Sequence, residues 1–173
     1  SPALIPSAST TIPNVTAGEE AVARSIFFYD EKIYIGTDYL AFGPLGFNHE
    51  LHIFDVSDPT DPDPTASVDI NRNVNDIAVK NNLAYLATGQ GSSAPYTPLK
   101  VVDLTTNLVV EDFSTTLDRP GNSLFLLGDK LYFGTERGTT GNDFYILSIE
   151  DIEPEELSAN SLNENTTEVG DIV

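Results

Sequence analysis

Two short stretches hold most of the side chains whose types and spacing could do chemistry. "LHIFDVSDPTDPDP" (Leu51–Pro64) crowds Asp55, Asp58, Asp61 and Asp63 together. Carboxylates gathered on a loop are what a hard cation such as calcium takes as ligands, so Asp58, Asp61 and Asp63 are the candidate metal ligands and calcium the candidate ion. An EF-hand loop also needs a central glycine and a distal glutamate, and this stretch has neither. Pro59 and Pro62 remove ladder donors, and Asp58 can bond its own backbone, so the same residues read as the elbow that ends a strand. The second stretch, "NHELH", holds both histidines, His49 and His52. Its H-E-x-H spacing is not the H-E-x-x-H that sets two zinc ligands on one helical face. On a strand His49 and His52 would point to opposite faces, while Glu50 and His52 would share one.

Other catalytic signatures are missing. The chain has no G-x-S-x-G elbow, and "GQGSS" lacks the lysine of a phosphate loop. With 27 acidic and 8 basic residues, the formal charge of −19 repels nucleic acid and anionic membrane surfaces. No nucleic-acid partner and no membrane span are expected, since no apolar run approaches about 20 residues. There is no cysteine, hence neither a disulfide framework nor a thiolate site. "NVT" at Asn14 and "NTT" at Asn165 match the N-glycosylation pattern, which is common by chance.

The elements that would position these residues are strands. Helical periodicity is confined to the acidic "EDIEPEELSAN", whereas short runs of Val, Ile, Phe and Tyr recur between Gly, Asn, Asp and Pro. Three of these runs are copies of one unit: "SIFFYDEKIYIGT" (Ser25–Thr37), "DIAVKNNLAYLAT" (Asp76–Thr88) and "SLFLLGDKLYFGT" (Ser123–Thr135). Tyr34, Tyr85 and Tyr132 share a column, as do Gly36, Ala87 and Gly134, and then Thr37, Thr88 and Thr135. Each unit predicts a hairpin whose turn, Asp30–Glu31, Asn81–Asn82 or Gly128–Asp129, tolerates positive φ. A third strand follows in "ELHIFDV", "LKVVDL" and "FYILSI", with Asp55, Asp103 and Ser148 in one column. A weaker fourth follows in "TASVDI", "LVVEDFSTT" and "EELSAN". A four-stranded meander cannot bury both faces alone, so neighbours must stack, and radial stacking makes a β-propeller. The small column Gly36, Ala87 and Gly134 marks where adjacent sheets approach closely.

"LHIFDVSDPTDP", followed by "NVNDIAVKNNLAYLAT" and "LKVVDL", resembles the LVIVD repeat of bacterial and archaeal propeller proteins. The resemblance covers about residues 21–160 and weakens in the third unit, where "FYILSIEDIEPEEL" loses the Asp and the SDP. It implies an extracellular or surface-associated propeller and supplies no catalytic residue.

The fold expected is therefore all-β, a β-propeller segment of about three four-stranded antiparallel blades with partial strands at both ends. Residues 1–20 read as a linker or the outer strand of a preceding blade. Blades follow over 21–70, 71–117 and 118–162, and 163–173 start a further one. Three blades fall short of the usual four to eight, so the open ends are expected to meet missing blades of a larger propeller or another copy. Connections between second and third strands are long and dissimilar: "DYLAFGPLGFNHE", "GQGSSAPYTP" and "ERGTTGND". Variable loops on repeated strands are where a scaffold carries recognition. The candidate ligand-binding residues are Tyr39, Phe42 and Phe47 in the first loop, Gln90 and Tyr96 in the second, and Arg137 in the third. Near the axis, Arg24, Asn75 and Asn122, with Asp76 and Asp171, could bind a cation or a polar ligand, but the commoner role, capping exposed backbone, is expected. The function expected is a non-catalytic recognition or structural module at the cell surface or outside the cell, binding protein or carbohydrate with no cofactor beyond the candidate calcium. The alternatives are a hydrolase or lyase whose site needs blades absent here, or a calcium-stabilised surface protein.

Overall fold

The computed structural model describes residues 7–13, 21–38, 49–91, 97–113, 119–136 and 143–149. Among these residues eleven strands form three antiparallel sheets, none closed into a barrel. Sheet 1 holds β1 (Ala23–Tyr29), β2 (Lys32–Thr37), β3 (Leu51–Asp55) and β4 (Asp63–Val68) in chain order. Sheet 2 holds β5 (Arg72–Lys80), β6 (Leu83–Gly91), β7 (Leu99–Asp103) and β8 (Leu108–Phe113). Sheet 3 holds β9 (Gly121–Leu127), β10 (Lys130–Thr135) and β11 (Phe144–Ser148). The stretch 155–160, expected as a fourth strand of sheet 3, lies outside the described residues. So do 1–6, 14–20 and 150–173. No helix among the described residues is long and apolar enough to cross a membrane.

Turn chemistry sets the hairpins. Asp30 and Glu31 adopt φ of 49° and 56°, and Asn81 and Asn82 adopt 50° and 59°, matching the twist of the flanking strands. In the third hairpin Gly128 alone does so, at 61°. Alternation then gives the hairpin strands two apolar faces, and both are used where a neighbouring sheet exists. Between sheets 1 and 2, Tyr34 and Ile53 meet Ile77, Val79 and Leu86; between sheets 2 and 3, Tyr85 and Val101 meet Leu131 and Phe133. The first strands lie side by side, β5 against β1 and β2, and β9 against β5 and β6. The inner strands are thus clustered, consistent with a propeller-like segment. Gly36 is one of the close approaches: a Cβ there would stand 2.5 Å from Val74 Cγ1 and 2.7 Å from the Val74 carbonyl oxygen.

Candidate functional site

The two ends of the sheets are built differently, and each construction recurs. At one end lie the hairpin turns. The residue after each third strand donates its N–H to a turn carbonyl: Val56 to Glu31 (2.9 Å), Leu104 to Asn82 (2.8 Å) and Ile149 to Asp129 (2.8 Å). The aspartate column explains itself here. Asp55 Oδ1 accepts from Ser57 N and Oγ at 2.9 and 2.6 Å, and Asp103 Oδ1 accepts from Thr105 N and Oγ1 at 2.7 and 2.6 Å. Such side-chain turns end a strand by giving its last donors a partner. Asp58 repeats the device with Thr60 N and Oγ1 at 2.8 and 2.6 Å, bonds that hold its carboxyl below the usual carboxylate range. Asp61 donates its N–H to the Asp58 carbonyl (3.1 Å), and Asp63 opens β4 opposite Asp55. The three candidate metal ligands are thus distributed over turn and strand. Among the described residues no three carboxylates or imidazoles converge as a metal would require. A cleft of about 300 Å³ opens beside this end between sheets 1 and 2, lined by Tyr29, Asp30, Tyr34, Asn82 and Asn107 among others.

At the opposite end the long connections leave the sheets, and the threonine column closes their bases. Thr37 N donates to Glu50 O, Thr88 N to Pro98 O and Thr135 N to Asp143 O, each at 2.9 Å. The hydroxyls of Thr37 and Thr88 add bonds to the carbonyls of Glu50 and Thr97. Of the candidate ligand-binding residues, Tyr39, Phe42, Phe47, Tyr96 and Arg137 lie outside the described residues, and Gln90 lies on β6 with only its backbone described.

A feature that sequence reasoning missed sits at this end. In each inner hairpin the pairing skips one residue: Ala23↔Thr37 then Ser25↔Gly36; Val74↔Thr88 then Asp76↔Ala87; Gly121↔Thr135 then Ser123↔Gly134. The skipped residues are Arg24, Asn75 and Asn122. A bulge bends the strand and re-aims its side chain, and two of these are engaged, one in an ion pair and one in a bond to backbone. Arg24 forms an ion pair with Asp38. Asn75 Nδ2 donates to the Gly121 carbonyl (2.7 Å) on the next sheet. Asp76 adds a second tie, accepting from Leu124 N at 2.7 Å. Polar pairs recur there, Arg24–Ser25, Asn75–Asp76 and Asn122–Ser123, yet such a pair fits an unbulged strand end equally well. Asp171 lies outside the described residues.

"NHELH" yields a buried polar pair. Glu50 and His52 are both 0% exposed. Glu50 Oε2 accepts from the N–H groups of Ile70 (2.8 Å) and Asn71 (2.9 Å), capping the link between β4 and β5. Burial outweighs those bonds and pushes the carboxyl up to about 7, with the Asp69 carboxylate adding to the rise. Burial holds the His52 imidazole down at about 4, and neither ring nitrogen has a partner among the described residues. His49 precedes the strand, so alternation does not govern it. Its Nδ1 lies 2.6 Å from Ser67 Oγ, and Ser67 is the residue paired with His52 across the β3–β4 ladder. The arrangement sequesters Glu50 as a backbone cap rather than offering it as an acid or base.

No family model and no curated protein matches this chain. Among solved structures it is similar to two computationally designed proteins at 11% identity. For the crystal structure of Ika4 the TM-score is 0.37, covering 79% of this chain and 96% of that one. For Ika8 the TM-score is 0.33, covering 78% and 48%. Neither likeness carries a function across.

Proposed function

We propose that this chain is a non-catalytic recognition or structural module of an extracellular or surface-associated protein, resembling the LVIVD-repeat propellers and presenting its long connections to a protein or carbohydrate. The observation that supports this most is the threonine closure made three times over at one end, at Thr37, Thr88 and Thr135. It gives three dissimilar connections one rigid base, and recognition commonly sits on loops held by such a scaffold. The first connection has aromatic rings among glycines and a proline, side chains that bury large area at low entropy cost. The experiment is a glycan array read with the native chain and with a variant carrying Tyr39→Ser, Phe42→Ser, Phe47→Ser and Tyr96→Ser, each with its circular dichroism recorded. Sugar binding that disappears in the variant while the β spectrum persists supports the reading. Binding that survives these substitutions moves recognition away from the loops, and no binding to any glycan removes carbohydrate as the ligand class.

A further inference from the structure

Sheet packing runs in one direction along the chain. The leading face of each sheet meets the next sheet, and its trailing face meets the one before. Sheet 1 leads with Phe27, Tyr34 and Ile53, and sheet 2 with Ala78, Tyr85 and Val101; sheets 2 and 3 receive them on trailing faces that include Leu86 and Phe133. By the same register the leading face of sheet 3 carries Phe125, Tyr132 and Ile146, and the trailing face of sheet 1 carries Ile26, Phe28 and Ile35.

Among the described residues these two faces hold most of the exposed large apolar side chains. Phe125 is 64% exposed and Ile146 57%, while on the other side Ile26 is 69% and Phe28 62%. Phe125, Tyr132 and Phe144 form an aromatic row on sheet 3, with ring centroids 6.3 and 6.2 Å apart. Exposed rows of this kind mark an interaction surface.

A polar seam runs in the same direction. Ser25 Oγ donates to the Val74 carbonyl (3.4 Å), tying sheet 1 to sheet 2, and Asn75 Nδ2 donates to the Gly121 carbonyl, tying sheet 2 to sheet 3. Val74 and Gly121 occupy one column of the repeat, and its member in sheet 1 is Ala23. The donors come from two adjacent columns, that of Asn75 ending in Asn122 and that of Ser25 ending in Ser123 on sheet 3. Ala23, Asn122 and Ser123 are all exposed. Apolar faces and seam are therefore complementary to each other, in the sense already realised twice within the chain.

We infer that the leading face of sheet 3 docks on the trailing face of sheet 1 of a second copy of this chain, repeating the contact made between sheets 1 and 2 and between sheets 2 and 3. The contact engages β1 and β2, because along β3 the trailing face is already covered at His52 and Phe54. Such a contact joins unlike surfaces, so it closes only as a ring. Counting the three sheets of the described residues, two copies bring six together, inside the four to eight that propellers use, whereas three copies would exceed it. Each copy carries a charge of −19, so association strengthens as salt screens the repulsion. None of this depends on what the long connections bind.

The test is sedimentation velocity of the native polypeptide over a concentration series at low and high salt, with its intact mass measured alongside. Phe28→Asp and Phe125→Asp each alter one exposed ring outside the folded core; Ile26→Asp and Ile146→Asp serve as second choices if either fails to give the native circular dichroism. A two-copy species that grows with concentration and with salt is expected for the native chain, and a single copy for each variant alone. Mixing the two variants in equal amounts is expected to restore the two-copy species, since one intact sheet 3 face then meets one intact sheet 1 face. A native chain that stays a single copy throughout overturns the inference. So does a longer native polypeptide, single-copy in solution, whose own further sheets cover both faces. Failure of the mixture to associate overturns it as well, because an intact sheet 3 face and an intact sheet 1 face then do not hold each other; so does a variant that stays two-copy by itself, because like faces then meet like.

Discussion

Replacing Glu50 or His52 should reveal two pH dependences that cancel in the native chain. The Glu50 carboxyl rises from 4.5 to about 7 on folding, and the His52 imidazole falls from 6.5 to about 4. At 1.36 kcal/mol per pH unit, each change has a ceiling of about 3 kcal/mol. The signs oppose. Folded Glu50 holds its proton more tightly than the unfolded chain does, so its contribution is fully present below pH 4.5 and is lost as pH rises through 7. Folded His52 resists protonation, so its contribution is fully present above pH 6.5 and is lost as pH falls through 4. Between pH 4.5 and 6.5 one slope offsets the other. Glu50→Gln keeps an acceptor for Ile70 and Asn71 but removes the charge. The variant should therefore gain stability with rising pH across that window, by about 2–3 kcal/mol relative to its value near pH 4. His52→Leu should lose about as much over the same range. The assay is urea denaturation from pH 4 to 8 at fixed salt, comparing each variant with the native chain so that the remaining carboxylates cancel. The neighbours His49 and Asp69 stay in place in both variants. The double variant should return to the native profile. Parallel profiles for native chain and single variants would refute the assignment of both groups as buried and shifted.

Three other substitutions and one addition test the scaffold. Gly36→Ala drives a methyl into the Val74 carbonyl and side chain, and should cost about 1–3 kcal/mol in urea denaturation. Gly134→Ala meets only the rotatable Ser123 hydroxyl within close range and should cost less than about 1 kcal/mol. Asp76→Ala leaves the N–H groups of Ile77 and Leu124 without their carboxylate acceptor. A loss of about 1–3 kcal/mol is expected, together with faster amide exchange at Leu124. Calcium should leave Tm unchanged. A genuine site at Asp58, Asp61 and Asp63 would add about 2.7 kcal/mol at a hundredfold excess over Kd, and a rise of that kind would return the elbow to the class of metal sites.

The strands and their columns were legible because alternation is a local property. Tyr34, Gly36 and Thr37 repeat as Tyr85, Ala87 and Thr88 since each answers to the same neighbours in its own sheet and the next. The elbow at Asp55 was legible for a similar reason, because its partners at Ser57 stand two residues away. The bulge at Arg24, Asn75 and Asn122 was not, for a bulge inserts one residue into a ladder without altering composition. Glu50 was opaque too: its partners are backbone groups 20 and 21 residues on, and no side-chain pattern announces a cap made to backbone. Phe27 and Phe28 are identical in type and adjacent, yet one lies against the core and the other is 62% exposed. Only the packing direction of the sheets separates them.

The closure at Thr37, Thr88 and Thr135 also separates the length of a connection from the integrity of the sheet that bears it. The three bases enclose 12, 9 and 7 residues between the bonded pairs. Going from the shortest to the longest raises the entropy of closing the loop by about 0.5 kcal/mol. A chain built this way can lengthen, shorten or exchange these segments for little loss of stability. Its variation is accordingly expected to gather there, between bonds that fix where each excursion starts and where it must return.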